Sequence, residues 1–572
     1  MAIFAERVCS NTGLFFPSMT GYRKAWLVRD AVAGITIAAI AIPGQIAVAK
    51  VAGMPPTTGL WACIAAGLVG FVFISNRYLW VGADSTTAPL VIAGLSVMAI
   101  PASEHYVRLA VTLALLVGAT LVVVAVAKMA WLADLLSRTV VAGFMAGVAT
   151  IIVVGQLPAL LGIPPGGVHT MPKLWHVLTN LGQINPVSAI IGIVSLAALP
   201  LFTLLNRKLP GALLVVALAT LATAALSLTK FQVEVLGPLD SGLPKLVWPD
   251  FSLDALRGLL PTAFAIALLS IAQSAATSRN SADAGGFTTS LRSDFVGVGA
   301  ANLASAGVGA FNVDVSPGAT GVMAASGART QLASAFGAMG VLGVVLFAGT
   351  LLADLPNATL AAIMILLSVR IVNVKEIRRI ARYSRAALAL AILTFAAVVL
   401  LGVEIGVLIT VIVALVSRAV RTSRPEIVAL GRRSDGHWLP LADTSTTDPH
   451  HILVLRLNGP LWFANANWYH DSVMDRVGAD PSIRAVILDA VTIDDLDYTG
   501  ASVLKDLAIV IQGRGIDVAV TRVPGRTDVS LVRIRLTSKL PADRLFSSVE
   551  DAYAVLSSES QINQQGQEVE PA

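Results

Sequence analysis

Long apolar runs separated by short polar turns occupy the first 420 residues of the chain. A run of about 20 apolar residues is long enough for a helix to cross the hydrocarbon of a bilayer. The pattern therefore predicts fourteen membrane segments, of which the third and tenth are short and polar at their start. The predicted segments are 31–50, 57–75, 84–100, 107–127, 131–155, 186–205, 211–229, 257–277, 291–311, 316–328, 331–352, 356–372, 385–401 and 403–420.

Basic residues are concentrated in alternate loops between these segments. Five of them fall between 373 and 385, whereas the loop at 230–256 is poor in Arg and holds Glu234, Asp240 and Asp250. Cytoplasmic loops of membrane proteins carry the excess of Lys and Arg. The charges therefore predict a multi-pass protein of the inner or plasma membrane, with the N-terminal stretch 1–29 and the C-terminus both in the cytoplasm.

The loop at 230–256 divides the predicted segments into two sets of seven. Because seven is odd, the second set crosses the membrane in the opposite sense from the first, as in transporters built from inverted repeats. The sequence therefore predicts a transport domain at 30–421, with repeats at about 30–229 and 257–421.

Two stretches, 82–89 and 312–330, interrupt the apolar pattern with small, hydroxyl-bearing, Pro and Gly residues. Backbone at membrane depth must satisfy its own polar groups unless it lines a cavity. Interrupted helices in corresponding halves mark many transporter binding sites, because their N-termini offer free N–H groups and partial positive charge to an anion. The pattern predicts such a site here. The alternative is two irregular loops between ordinary spanning helices.

Asp84 opens the third segment in an apolar setting. A carboxylate inside a membrane is expensive and is a functional candidate by default, so Asp84 is the candidate for carrying a coupled proton. The alternative role is a helix cap that accepts from the N–H groups of Thr86 or Thr87. Asp314 is expected to lie in a solvated outer loop at 312–315, with a coupling role as the less favoured reading.

Side chains and backbone groups able to donate hydrogen bonds to an oxyanion surround both interruptions. The candidate substrate-binding residues are Gln45, Asp84, Ser85, Thr86, Thr87, Gln273, Thr277, Ser316, Gly318, Ala319 and Thr320. Small hydroxyl residues also pack helices together in membranes, and buried amides often join helices. Helix packing is therefore the alternative role for these hydroxyls and amides, and Gln45 and Gln273 are also able to bond each other.

The composition becomes polar after Arg421, and 422–450 reads as a linker or lead-in strand. Buried strands are expected at 452–457, 486–488 and 516–521, alternating with helices at 466–477, 500–512 and 529–536. Strands that alternate with helices predict a small α/β domain, here at 451–557. The Gln-rich tail at 558–572 is expected to be disordered.

Several motifs, taken in their order along the chain, resemble the SulP family of anion transporters, whose members carry a C-terminal STAS domain. Ala-Gly-Met-Pro-Pro at 52–56 and Gly-Ala-Arg-Thr at 327–330 are similar to family motifs that follow the first and tenth helices. Gly-Pro-Leu-Trp-Phe-Ala-Asn-Ala at 459–466 and Asp-Tyr-Thr-Gly at 497–500 are similar to motifs of the STAS domain. The resemblance covers nearly the whole chain.

The resemblance implies an α-helical polytopic protein with fourteen segments in a seven-plus-seven inverted repeat, whose core domain moves against a gate domain. It implies a site between the N-termini of the third and tenth helices, facing the first and eighth. Substrates of the family include sulfate, bicarbonate, chloride and dicarboxylates, carried by proton or sodium symport or by exchange. Homodimers and a cytoplasmic partner of the STAS domain are also implied.

Three positions depart from the family pattern. Ala319 stands where many members have an Arg, and Gln273 where many have a carboxylate. Gln273 cannot take up a proton or supply negative charge to sodium, so coupling to either cation is not expected at that position. For the protein as a whole, a proton is the candidate coupling ion and sodium is less expected. In the regulatory turn formed by Asp497, Tyr498 and Thr499, the tyrosine replaces a frequent serine. Serine phosphorylation is therefore not expected there, and Thr499 is expected to cap the following helix.

Composition excludes several classes of function. With 55% hydrophobic and 13% charged residues, the chain belongs in a membrane, and its net charge of +5 reflects loop bias rather than nucleic-acid binding. No grouping of residues predicts an enzyme, a metal site or a cofactor. The predicted function is secondary active transport of a small anion of the sulfate, bicarbonate or dicarboxylate class. The alternatives are an uncoupled exchanger or carrier of a weakly charged solute, and a membrane sensor or scaffold acting through the STAS domain.

Overall fold

We describe the protein from a computed structural model. The described residues are 15–129, 138–164, 166, 170–205, 211–237, 243–347, 352–433, 437–441, 451–524 and 544–567. The chain forms two compact units, Met1–Ala414 and Leu415–Ala572.

The first unit is helical, and each of the fourteen predicted segments coincides with a helix. In the first half these helices are α1 (Leu27–Val51), α2 (Pro56–Phe73), α3 (Ala88–Ser96), α4 (Glu104–Val126), α5 (Arg138–Leu161), α7 (Pro186–Leu205) and α8 (Gly211–Ala225). In the second half they are α9 (Leu253–Gly285), α10 (Leu291–Gly307), α11 (Pro317–Ala325), α12 (Leu332–Phe347), α13 (Asn357–Ile371), α15 (Arg385–Leu401) and α16 (Val403–Thr422). Among the described residues, six helices are long and apolar enough to cross a membrane, and four more are apolar but shorter.

Two further helices lie in stretches that were predicted to be loops. They are α6 (Thr170–Thr179) and α14 (Val374–Tyr383). Helix α14 places Val374, Ile377 and Ile380 at helical spacing between exposed arginines. At ten residues it is too short to span a bilayer, so a search for long apolar runs does not detect it.

The helices of the first unit pack as two bundles. In one bundle, α1 packs against α2 and α12, and α10 packs against α2 and α4. In the other bundle, α13 packs against α5 and α7, and α15 packs against α5. Contacts between the bundles run mainly from α1 to α13 and from α1 to α8. Helix α1 therefore forms most of the surface along which the two bundles meet.

The third helix of each half is a half-helix. Helices α3 and α11 have nine residues each and are preceded by the two-residue strands β1 (Val81–Gly82) and β2 (Asp314–Val315). Each half-helix has a proline in its first turn, where the missing N–H costs nothing. The same strand and short helix at the corresponding place of each half agree with the predicted repeat.

The second unit contains a six-stranded sheet in the order β4-β3-β5-β6-β7-β8. Strands β5 to β8 are parallel, and β3 and β4 add antiparallel edges. The strands are β3 (Ile427–Arg432), β4 (Trp438–Pro440), β5 (Ile452–Leu457), β6 (Ala485–Asp489), β7 (Asp517–Thr521) and β8 (Leu545–Phe546), and the helices are α17 (Ala466–Ala479), α18 (Tyr498–Gly513) and α19 (Val549–Gln567).

The C-terminal end of the second unit differs from the sequence prediction. Helix α19 continues to Gln567, so the expected disorder from residue 558 is wrong over these residues. Glutamine and glutamate are good helix formers, and a polar helix end continues an amphipathic helix without needing a core of its own. The predicted helix at 529–536 lies outside the described residues.

Candidate functional site

The two half-helices begin at a crossing formed by β1 and β2. The strands are antiparallel, with Val81 opposite Val315 and Gly82 opposite Asp314. The Ser316 N–H extends the pairing by donating to the Trp80 carbonyl at 3.0 Å, and the Trp80 N–H donates to Thr320 Oγ1 at 3.1 Å. Because the strands are antiparallel, the N-termini of α3 and α11 face the crossing while the helices run away from it.

Asp84 lies at the start of α3 and is 4% exposed. One carboxylate oxygen, Oδ2, accepts from the Thr86 N–H at 2.9 Å and also from the Thr86 hydroxyl. The Asp84 carbonyl accepts from the Ala88 N–H at 3.1 Å, and the helix cap is Thr87. Asp84 therefore satisfies N–H groups of the turn that leads into α3, as the capping alternative requires, while its charge stays beside the crossing.

Gln273, on α9, joins the two half-helix starts. Its amide nitrogen donates to the Val315 carbonyl and, at 3.3 Å, to Asp84 Oδ2. Its amide oxygen accepts from the Thr86 hydroxyl at 3.1 Å. All three contacts are with the crossing, so Gln273 holds the two interruptions together.

Gln45, on α1, holds the backbone just before Asp84. Its amide accepts from the Ala83 N–H at 2.7 Å and donates to the Ala83 carbonyl at 2.9 Å. A side chain at Gly82 would meet the Gln45 amide at about 3.1 Å, so glycine allows this close approach. The alternative of a bond between Gln45 and Gln273 is not observed, because each amide is bonded elsewhere.

The N-terminus of α11 faces open space. Ser316 caps the helix by accepting from the Ala319 N–H at 3.5 Å. The Gly318 N–H makes no hydrogen bond among the described residues, and a side chain there would meet nothing within 4 Å. This end of α11 is therefore accessible to a ligand and offers it the free N–H of Gly318.

The candidate residues fall into an accessible set and a buried set. Ser85, Ser316, Gly318 and Ala319 are at least partly exposed at the half-helix ends. The buried set is Gln45, Asp84, Thr86, Thr87, Gln273, Thr277 and Thr320. The accessible residues are placed to contact a substrate, and the buried residues support them from behind.

Asp314 corrects one expectation from the sequence. It is fully buried and belongs to β2, so it does not lie in a solvated loop. The alternation of polar Asn312, Asp314 and Ser316 is the period-two signal of a strand, and it was the clue available in the sequence. The sequence reasoning also missed the buried Ser270 and Ser274, which flank Gln273 on α9.

The regulatory turn of the STAS-like unit is ordered by its aspartate. Asp497 caps α18 by accepting from the Gly500 N–H at 2.7 Å, and it also accepts from the Phe463 N–H at 2.8 Å. Thr499 is exposed and does not cap the helix, because the aspartate is already in the cap position. Tyr498 is 80% exposed, so its ring is available to a partner.

Crossed half-helices between two helical bundles define a class of membrane transporter. The sequence model of the sulfate permease family matches residues 27–394, and that of the STAS domain matches residues 443–552. The chain belongs to the sulfate permease family, whose members are anion transporters, and it spans the membrane several times. The predicted family, fold class and STAS domain are thereby confirmed.

Relatives agree with this assignment, and solved structures share the fold. A probable sulfate transporter of Mycobacterium tuberculosis is 32% identical over 540 residues, covering 93% of this chain and 95% of that protein. Solute carrier family 26 member 10 of Mus musculus is 28% identical, covering 93% and 84%. The structure of murine solute carrier 26 family member A9, an anion transporter in the inward-facing state, covers 96% of this chain and 94% of that chain at 19% identity, with a TM-score of 0.88. The transmembrane domain of a cyanobacterial bicarbonate transporter covers 69% and 98% at 24% identity, with a TM-score of 0.59.

Proposed function

We propose that the chain carries sulfate, or a closely similar small oxyanion, by alternating access coupled to protons. The observation that supports this most is the accessible N-terminus of α11, with the free Gly318 N–H beside the Ser316 hydroxyl. Aligned peptide dipoles and free N–H groups favour an anion at such a helix end. The name of the M. tuberculosis relative makes sulfate the first substrate to test.

The charge balance at the crossing supports coupling to protons. Ala319 supplies no cation, and Asp84 places a carboxylate next to the two helix ends. An ionised carboxylate repels an incoming anion, whereas a protonated one does not. Proton uptake by Asp84 before or with the anion therefore allows both to be carried together.

The two bundles are the elements proposed to move. The crossing belongs to the bundle of α1, α2, α10 and α12, and the other bundle faces it across α1. Movement of one bundle against the other exposes the site to alternate sides, provided the anion binds both states. We assign the protein to the inner or plasma membrane as a homodimer with both termini cytoplasmic.

Exchange without a proton is the second candidate. Gln273 bonds Asp84 and cannot ionise, so α9 adds no proton-binding group beside that carboxylate. A carrier of this kind would exchange anions at a rate set by the anion on the far side. A sensor acting through Tyr498 in the exposed STAS turn is a third candidate.

The test is uptake of labelled sulfate into proteoliposomes, with bicarbonate measured in parallel. We expect an inward proton gradient to accelerate sulfate uptake at least several-fold and to have no effect in Asp84→Asn. The Asp254→Asn variant removes an exposed carboxylate of the first turn of α9 and serves as the matched control. It should respond to the gradient like the unaltered protein.

Three outcomes discriminate between the candidates. Uptake that ignores the gradient but rises with internal sulfate indicates exchange and makes Asp84 a structural residue. Uptake that follows sodium contradicts proton coupling. Absence of sulfate and bicarbonate flux in folded protein contradicts the proposed substrate class and favours the sensor.

A further inference from the structure

A cluster of buried polar atoms without partners lies behind the crossing. Ser270, Ser274, Asn312 and Asp314 are each at most 1% exposed. Among the described residues, no group bonds the two serine hydroxyls, either amide atom of Asn312, or Asp314 Oδ2. The other carboxylate oxygen, Asp314 Oδ1, accepts from the Val315 N–H at 2.7 Å, and the Ser270 hydroxyl lies near the carboxyl group without reaching hydrogen-bond geometry.

Such a cluster is unusual for a folded protein. Most buried polar side-chain atoms have a hydrogen-bond partner, and a charged carboxylate in a dry interior needs a cation, several donors or a proton. The contrast within this chain is clear, because the buried Asp294 accepts five hydrogen bonds, from Ser75, Asn76, Ser278 and Thr289. Asp314 lacks comparable support for a negative charge.

The groups facing Asp314 include no cation among the described residues. Strand β1 brings Asp84 close enough to act on it electrostatically. Helix α9 presents the neutral Ser270, Gln273 and Ser274, and α10 presents the neutral Asn302, whose amide bonds the backbone of Val313. The carboxyl group of Asp314 therefore has a like charge nearby and no opposite one.

The two carboxyl groups are also joined mechanically. Gly82 and Asp314 are opposite each other in the crossing, and the Gln273 amide bonds both Asp84 Oδ2 and the Val315 carbonyl. A change of position at one carboxyl group is thus transmitted to the other through three short contacts. Two carboxylates that share a site ionise in a coupled way, so that one holds a proton while the other is charged.

We propose that Asp314 is a second proton-binding residue and that Asp84 and Asp314 hold one proton between them, so that the cluster behind the crossing stores the coupled proton. The carboxylate of Asp314 takes up H⁺ to form a neutral acid whose O–H donates within the cluster, directly or through ordered water, to the oxygens of Ser270, Ser274 or Asn312. The acid releases the proton when the site opens to the opposite side. This proposal deepens the proposed proton coupling and rests on it.

A spectroscopic experiment tests proton binding without requiring transport. The full-length protein in lipid, free of substrate, is subjected to pH changes while the infrared carbonyl band of protonated carboxyl groups is recorded. We expect a band that loses its Asp314 component in Asp314→Asn, leaving at most a component of Asp84, and that shifts in Ser270→Ala, which removes one hydrogen-bond partner of the acid. Asp254→Asn should leave the band unchanged. A band unaffected by both cluster variants overturns the proposal.

A transport experiment links the proton to flux. The ratio of sulfate uptake with and without an inward proton gradient should fall to about one in Asp314→Asn, as in Asp84→Asn, while Asn312→Ser should reduce it without abolishing it. A full gradient response in folded Asp314→Asn overturns the proposal, as does a sodium-dependent response that needs the same four residues. If sulfate is not carried at all, the proposed function fails, whereas the infrared result still decides whether Asp314 binds a proton.

Discussion

A single amide on α1 supports the start of the first half-helix. Gln45 satisfies both backbone groups of Ala83, which is 3% exposed. We expect Gln45→Ala to destabilise the membrane unit by about 2–6 kcal/mol, because two buried backbone groups lose their side-chain partner at about 1–3 kcal/mol each. Thermal unfolding in detergent measures the change.

The control for this substitution removes a hydrogen bond that stays within one helix. The Thr36 hydroxyl donates to the Val32 carbonyl of its own helix. Thr36→Ala should therefore lower the free energy of unfolding by about 1 kcal/mol at most. Equal effects of the two variants would contradict a special role for Gln45. Uptake should also fall in Gln45→Ala, since Asp84 follows Ala83 directly.

Residues differ in how well the sequence reveals them. Asp84 was identifiable because an intramembrane carboxylate stands out against apolar neighbours. Asp314 was assigned to solvent because its strand has only two residues, and an alternation over Asn312, Asp314 and Ser316 alone is too short to distinguish a strand from a loop. The bidentate bond of Gln45 to Ala83 joins residues 38 apart, and local sequence carries no information about such a contact.

At the scale of elements, the length of apolar runs predicts membrane helices well and short strands poorly. All fourteen membrane segments were located, because hydrocarbon thickness imposes a length that the sequence displays directly. Helices α6 and α14 and strands β4 and β8 were missed, since each is too short for that criterion, and α19 was missed because polar residues interrupt its apolar positions. The half-helix ends were predictable from Pro317 and the hydroxyl residues, but the strand pairing that brings them together was not.

A buried ion cluster joins the ends of the parallel strands in the second unit. Asp489, at the end of β6, has a fully buried carboxylate that accepts from Arg456 Nε at 2.6 Å and Arg522 Nε at 2.9 Å. These three residues lie at the ends of or just beyond the parallel strands β5, β6 and β7. We expect Asp489→Asn to lower the free energy of unfolding of the sheet by about 3 kcal/mol. This value is at the lower end of the range for breaking a buried ion pair, because both guanidinium groups are partly exposed.

Hydrogen exchange of the full-length protein measures this effect locally. Peptides from β5 to β7 should exchange faster in Asp489→Asn, whereas peptides from the membrane unit should not change. Asp506→Asn removes a carboxylate on α18 that has no ion pair among the described residues, and it should leave the exchange as it was. Unchanged exchange in Asp489→Asn would show that the sheet does not depend on this ion cluster.

At the scale of the whole membrane unit, a polar contact joins the two bundles at one end. Lys50, in the last turn of α1, donates to Asn357 Oδ1 at 2.5 Å, and Asn357 at the start of α13 donates to Glu234 at 3.3 Å. The contact crosses from one bundle to the other and closes this end of their shared surface. The Lys50–Asn357 pair is partly buried, and we assign its hydrogen bond a value near the low end for protein hydrogen bonds, about 0.5–1 kcal/mol.

We expect Lys50→Met to favour opening at this end by about two- to fivefold, since the contact exists only while the bundles meet there. The measurement is labelling of an Ala319→Cys site by an impermeant thiol reagent, with Cys9 and Cys63 replaced by serine. Lys230→Met, in the exposed 3-10 helix Leu228–Phe231, is the control and should not alter labelling. Slower labelling in Lys50→Met would mean that the contact holds the site open rather than closed.

The long-range character of the crossing has a consequence for biosynthesis. Val81 pairs with Val315, and the buried Asp30 accepts from the Arg329 and Thr330 N–H groups and the Thr330 hydroxyl. During translation, the first seven segments enter the bilayer before either set of partners has left the ribosome. The nascent N-terminal half must therefore hold an unpaired carboxylate and an unpaired strand until the second half inserts. We expect assembly to depend most on the insertion machinery during that interval.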